Sequence, residues 1–367
     1  MRQSPINQLH PSLRTLCSVV GNQHTPTPYG DPQSEHAIVR NGVGITNTSH
    51  RGKLMISGID RTTYLQGLVT NDMLKLTDGI GMYCAILTPK GKIQSYFRIF
   101  EVDETLIIDL EEEAIATTYQ LLKRYLLYGI KVALEDVTRS YGHLSIHGPL
   151  SDTLLTKVCD HTFPELDVPN HTKASIATTQ LIIMKTDECG EIGYDLLMPI
   201  SSITTVWERL WETATNNKIH PFGAIGAETL EILRIETGTP RYGRELDEEV
   251  FPAEALLEKK AVSLSKGCYL GQETVARIDA YGDVKRKLAG ITISGKSVPK
   301  QGTELFGTDD DSRVAGRITS AIYSPSLNQI IGLAYLRTKY LSSGTELITT
   351  FNDHTNNATV TTLPFPR

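Results

Sequence analysis

Apolar and polar positions change their spacing several times along the chain. Between residues 52 and 110 the apolar residues fall in short runs. GKLMISGIDRTTYLQGLVTND reads as a strand, a turn and a short helix with Asp60 as its N-cap. GMYCAIL, KIQSYFRIF and TLIIDL read as strands, with TPKG at 88–91 as a hairpin turn. EEAIATTYQLLKRYLLY (112–128) has helical spacing, and Gly129 predicts its stop. A strand at GHLSIHGPL, a helix over 149–159 and strands over 175–185 and 193–198 follow. SSITTVWERLWETATNN sets Trp207 and Trp211 one helical turn apart, which predicts core positions. GAETLEILRIETG predicts a helix that ends at Gly238. From about Lys285 the pattern becomes short β segments between Gly and Pro turns: KLAGITI, TELFG, RVAGRITSAIY, IIGLAYL and TELITTF. That predicts a small all-β barrel or sandwich. The fold class is therefore α+β, divided into a loosely ordered lead-in (1–36), an α+β region of two subdomains (37–284) and a C-terminal β-barrel domain (285–367).

Composition narrows the function classes. The chain has 367 residues, 40% hydrophobic and 21% charged, with a net charge of −6. This is an ordinary globular composition with no broad basic footprint, so no direct nucleic-acid binding is expected. Every long apolar run is broken by a charge or a glycine well short of the roughly 20 residues a membrane span needs. Residues 1–30 contain Arg2 and Arg14 but no Asp or Glu, a faint likeness to a transit segment. The expected location is the cytoplasm, or an organelle matrix if that segment is a targeting sequence. The five cysteines, Cys17, Cys84, Cys159, Cys189 and Cys268, are scattered singly. No CxxC or Cys/His spacing suits zinc, and a reducing compartment follows. His143 and His147 share a strand face, as two ordinary strand histidines do.

There is no P-loop, HExxH or GxSxG, and NGVG (41–44) lacks the rest of a dinucleotide fingerprint. Three polar turns remain. ECGEIGYDLLM puts Glu191 between glycines just before a strand, where a carboxylate can accept two N–H donors from a flat heterocycle or simply face solvent. Arg234 can fork to a carboxylate or ring, or pair with Glu231 or Glu236. KGCYLGQET sets Cys268 in a glycine-rich turn near Lys266 and Arg277. There it is either a reactive thiol or a small filler in a structural turn.

Taken in order, HRGKLMISGIDRTTYLQGLVTND, GEIGYDLLM, LRIETGTPRYGRELDEE and KGCYLGQETVAR resemble the folate-binding fold of the glycine-cleavage T-protein superfamily. The last motif resembles its YgfZ-type branch, folate-binding proteins tied to iron–sulfur cluster maintenance and tRNA thiolation. The resemblance spans residue 30 to the C-terminus. It implies three subdomains around a folate channel, tetrahydrofolate or a one-carbon derivative as cofactor, and transient iron–sulfur enzyme or assembly-protein partners. By position it implies that Glu191 contacts the pterin and that Arg234 lies near it. In the motif Lys266, Gly267, Cys268, Tyr269, Gly271, Gln272 and Glu273, it makes Cys268 the candidate reactive thiol. No resident metal is implied.

The aminomethyltransferases of the superfamily carry an acidic pair that includes their catalytic aspartate. The matching stretch here is Gln94, Ser95 and Tyr96. Loss of such a group removes acid–base help worth about two to four orders of magnitude. Glu188 also departs, standing where those enzymes have a tyrosine, whereas RYGRELDEEVFPAEALL looks more transferase-like. The sequence thus predicts a tetrahydrofolate-binding, YgfZ-like protein that supports iron–sulfur enzymes and tRNA modification. An aminomethyltransferase or folate-dependent demethylase is the first alternative, and a non-catalytic folate-binding scaffold the second.

Overall fold

The computed structural model describes residues 17–20, 23–26, 29–282, 284–308 and 313–366. The chain forms two compact units. The first comprises Met1–Gln66, Asp72–Cys84 and Phe97–Glu231, and the second comprises Gly67–Asn71, Ala85–Tyr96 and Ile232–Arg367. Much of the expected lead-in (1–36) lies outside the described residues, though within it strands Cys17–Val20 and Gln23–Pro26 pair antiparallel. Residues 32–36 form the start of helix Pro32–Asn41, which Asp31 caps by accepting from Ser34 N–H.

The first unit holds a six-stranded sheet in the order His171–Ile176, Thr179–Thr186, Gly193–Pro199, Tyr141–His147, Val43–Asn47, Phe222–Ala224. Only the last pair is parallel. A five-stranded antiparallel sheet supplies Phe97–Val102 from strand Ile93–Val102, with Thr105–Leu110, Gly52–Ser57 and Ala133–Asp136 beside it. Strand alternation sorts the residues. Leu144 and Ile146 of one strand, with Tyr194, Leu196 and Met198 of its neighbour, join a core against helices Ser151–Val158 and Ile203–Asn216. Trp207 is fully buried there and stacks on Trp211 with centroids 6.2 Å apart, as the helical spacing predicts. Phe100, Val102 and Ile107 of the second sheet cluster with Met184 and Leu197 of the first.

In the second unit six strands close into a barrel in the order Arg286–Ile293, Gln329–Arg337, Val314–Ser324, Glu304–Gly307, Glu346–Phe351, His354–Thr361. Its interior is filled by Ile291, Leu305, Ile318, Ala334, Leu336 and Leu347, among others. This is the α+β fold with a C-terminal barrel expected from the sequence. The same compact unit also takes in residues 232–284.

Local differences have identifiable causes. The strand read over 175–185 is a hairpin of His171–Ile176 and Thr179–Thr186. Its turn is Ala177 and Thr178, both with positive φ (50° and 65°) and neither a usual turn residue. Asp60 does not cap its helix through its side chain. The carboxylate accepts from Lys131 N–H at 2.8 Å, tying two loops together. Helix Ile115–Tyr125 stops before Gly129, with Leu126 leaving helical geometry. No helix among the described residues is long and apolar enough to cross a membrane.

Candidate functional site

In the second unit the KGCYLGQE motif forms a braced turn that opens helix Gln272–Tyr281. Lys266 is buried, and its Nζ donates to the carbonyls of Val69 (2.7 Å) and Asn71 (2.8 Å). The same ammonium lies 5.1 Å from the ring centroid of Tyr269, which is buried. Burial pushes the Tyr269 phenol up to about 12. Gly271 sits at the helix start with φ +83°, and a Cβ there would lie 2.6 Å from the Thr88 carbonyl oxygen. The motif is thus built against the 67–71 loop and the 88–91 hairpin. Thr70 joins in as well, donating through its hydroxyl to the Ala261 carbonyl. Gln272 begins the helix, its N–H donating to the Tyr269 carbonyl, and Glu273 is exposed in the first turn.

Cys268 lies at the crest of this turn and is exposed, as is Gly267. The other three cysteines with described side chains differ from it. Cys84 and Cys189 are buried and Cys159 is half-buried. Burial raises the Cys159 thiol to about 11 and the Cys189 thiol higher still. Solvent access therefore singles out Cys268 among the four.

On strand Ile93–Val102, Gln94 donates to Glu248 Oε1 at 3.3 Å, Ser95 is fully buried and Tyr96 is half-buried. Arg234 is also buried. It donates to Glu245 Oε2 (2.9 Å), the Thr239 carbonyl (2.7 Å) and Ser320 Oγ (3.0 Å), and Ser320 in turn donates to Glu245 Oε1 (2.6 Å). Glu245 is therefore a partner of Arg234 that its own helix does not suggest.

In the first unit Glu191 follows Gly190 (φ +69°) in a half-buried turn. Arg40, from the last turn of helix Pro32–Asn41, donates to Glu191 Oε1 at 2.8 Å and to the Cys189 carbonyl at 3.2 Å. Arg40 fixes the carboxylate, a pairing across 151 positions that no sequence pattern reveals.

A second group of residues was not expected from the sequence. Strand alternation gathers Arg98, Asp109, Asp195, His143, His147 and Lys53 into a buried ionic layer. Arg98 Nη2 bridges Asp109 Oδ2 and Asp195 Oδ2, each at 2.6 Å, and Arg51 grips Asp109 through two bonds of 3.0 and 2.8 Å. Asp195 also accepts from Ser145 and lies 3.3 Å from His143 Nε2. The guanidinium groups hold both carboxyls well below the usual carboxylate range against the opposing effect of burial. Burial lowers both histidines and brings Lys53 down to about 7. Lys53 Nζ donates to the Ser49 and Arg51 carbonyls. Arg98 Nη1 and His147 Nδ1 are buried without a hydrogen-bond partner among the described residues, so a bound polar group or ordered water would satisfy them. The sequence did carry a trace of this layer. Single charges interrupt apolar strand runs in GKLMI, FRIF, LIIDL and GYDLL. Among the described residues no group of three or more His, Cys, Asp or Glu is placed to hold a metal ion.

Two family models match the chain, the GCVT N-terminal domain over residues 15–266 and the glycine cleavage T-protein C-terminal barrel domain over 286–366. The chain is similar to an aminomethyltransferase of Chlorobium luteolum, 30% identical over 100% of this chain and 98% of that protein. It is also similar to one of Caldanaerobacter subterraneus, 29% identical over 95% and 91%. Among solved structures, the glycine cleavage system aminomethyltransferase T from Bartonella henselae superposes with a TM-score of 0.87 over 100% of this chain and 98% of that one. At 18% identity this likeness speaks for the fold.

Proposed function

Because the chain belongs to the glycine cleavage T-protein family, we propose that it binds a reduced folate and serves iron–sulfur enzymes, including tRNA-thiolating ones, rather than transferring aminomethyl groups. The observation that carries this reading is the strand at Gln94, Ser95 and Tyr96. Where the transferases have acids, this chain has an amide, a fully buried hydroxyl and a phenol. Nothing there can carry charge or accept a proton at neutral pH, so attack by a folate amine on an aminomethyl group loses that help. Exposed Cys268 in its braced turn supports the same branch.

Glu191 is the residue proposed to receive the pterin. Its carboxylate suits the paired N–H edge of the ring, and Arg40 would hold it in register. Arg234, which the resemblance sets near the pterin, lies in the second unit, where it donates to Glu245, the Thr239 carbonyl and Ser320. The partners would be iron–sulfur enzymes or their assembly proteins, met transiently.

Aminomethyl transfer is the second reading, favoured by the relatives' names at 27–30% identity along the whole chain. A shared fold and name do not carry a reaction past the loss of its acidic residue. Two measurements decide between the readings. The first is methylene-tetrahydrofolate production by the purified protein with glycine-cleavage partners, where a robust rate would install the transferase reading. The second is calorimetric titration with tetrahydrofolate. Loss of one charge-assisted contact costs about 1.5–3 kcal/mol, so Glu191→Ala should weaken binding about tenfold or more. No binding by the wild type would leave a scaffold with a vestigial site.

A further inference from the structure

The second unit contains a cavity that neither the folate reading nor the thiol uses. It measures 160 Å³ and is walled by Phe251, Val262, Leu264, Val275 and Ile278. That volume is too small for a folate or another ordinary small-molecule ligand, whose pockets run to about 300–1,000 Å³. It is close to the roughly 150 Å³ apolar cavity known to hold one benzene ring. One leucine, methionine or phenylalanine side chain fits it.

The polar part of the lining specifies what accompanies that side chain. Glu258, Asp279 and Lys287 complete it, two carboxylates against one ammonium, so the lining is acidic on balance. Glu258 Oε2 is buried with no hydrogen-bond partner among the described residues. A buried acceptor left unmade costs about 1–3 kcal/mol, and a donor arriving with a ligand would remove that cost. The apolar surface continues past the mouth. Leu264 is 57% exposed, and Tyr281, next to lining residue Gly282, is 80% exposed. Exposed apolar side chains beside a cavity that takes one side chain suit a chain better than an isolated small molecule.

We propose that this cavity is a docking site for a partner polypeptide that inserts one apolar side chain and presents an adjacent Lys or Arg to Glu258 and Asp279. The site is independent of folate and of Cys268, so its failure would leave the reading above untouched.

The test is a titration of Ile/Leu/Val methyl-labelled protein with ten-residue Gly/Ser peptides. One peptide carries a single Leu-Lys step, a second Leu-Glu and a third Ala-Lys. The Leu-Lys peptide should shift the Ile278 and Val275 methyl signals saturably, and the other two should bind at least fivefold more weakly. Glu258→Gln keeps the shape and should reduce the preference for Leu-Lys over Leu-Glu at least threefold. Leu264→Ser, at an exposed position, should weaken the Leu-Lys peptide without altering the unfolding transition. Absence of shifts at millimolar Leu-Lys peptide, or equal binding of Leu-Lys and Leu-Glu, would overturn the proposal.

Discussion

The ammonium of Lys266 donates to the Asn71 carbonyl at 2.8 Å and, by the same group, to that of Val69 at 2.7 Å. The lysine that stands two residues from Cys268 in the sequence is therefore a strut that closes the 67–71 loop onto the motif. Lys266→Met keeps the stem and removes the charge, leaving two carbonyls short of their donor. With charge-assisted bonds worth about 1.5–3 kcal/mol each and only partly additive, a loss of about 2–4 kcal/mol is expected. Urea unfolding measures it, and a loss below half a kcal/mol would mean that the strut is not needed.

The two motif glycines should behave differently. A Cβ on Gly267 meets nothing within 4 Å, whereas one on Gly271 meets the Thr88 carbonyl oxygen at 2.6 Å from a backbone with φ +83°. Gly267→Ala should change stability by less than about 0.5 kcal/mol. Gly271→Ala should cost about 1–3 kcal/mol, because the strained conformation and the contact add. Equal effects in a denaturant titration would contradict the geometry of the turn.

Asp109 and Asp195 give the first unit a predictable acid limit. Both ionise more readily folded than unfolded, held down by Arg98 in each case and by Arg51 at Asp109. The unfolded chain therefore binds more protons once the pH drops to about 4. The stabilisation is fully present above pH ~5 and is lost progressively below pH ~4, at up to about 1.4 kcal/mol per pH unit for each group. Asp109→Asn should remove about half of that slope. It should also destabilise the protein at pH 7 by about 3–5 kcal/mol, because it leaves buried guanidinium charge uncompensated. A wild-type unfolding free energy that stays flat from pH 5 to pH 2 would refute the role given to these pairs.

The sequence showed the elements better than their pairings. The barrel was legible because its turns carry Gly and Pro, and Trp207 because its helix is amphipathic. The hairpin at Ala177 and Thr178 was not, since residues of that kind seldom hold positive φ and the cause lies in the strands they join. The motif around Cys268 could be read as a unit because it is contiguous. Arg40 with Glu191 and Arg98 with Asp195 could not, because 151 and 97 positions separate the partners. Long-range ion pairs leave only a trace in one sequence, a lone charge inside an apolar strand, and that trace does not name the partner.

Restoring an acid to strand Ile93–Val102 tests the branch directly. Ser95 is fully buried, so Ser95→Asp places a carboxylate out of water and should cost about 3–5 kcal/mol. Gln94→Asp instead sets a second negative charge close to Glu248, whose Oε1 lies 3.3 Å from the Gln94 amide. Neither substitution alone should create aminomethyl transfer. A Ser95→Asp protein of unchanged stability that produces methylene-tetrahydrofolate would show that the transferase machinery is otherwise intact.

Cys268→Ser asks what the braced turn is for. The thiol is exposed, and the turn is held by Lys266, Gly271 and buried Tyr269, none of which relies on the sulfur for a hydrogen bond. A filler would be expected inside, as Cys189 is, with burial keeping its thiol protonated. One cysteine cannot hold an iron–sulfur cluster, which usually takes four thiolates. It can act as a nucleophile, a transient ligand or one half of a mixed disulfide with a client. Serine nearly conserves the volume, so Cys268→Ser should leave the unfolding midpoint and tetrahydrofolate affinity unchanged. Its rescue of aconitase-type and tRNA methylthiolation activities in a deletion strain should fall well below that of the wild type. Full rescue by the stably folded variant would make Cys268 a structural residue of the turn and remove the thiol from the proposed function.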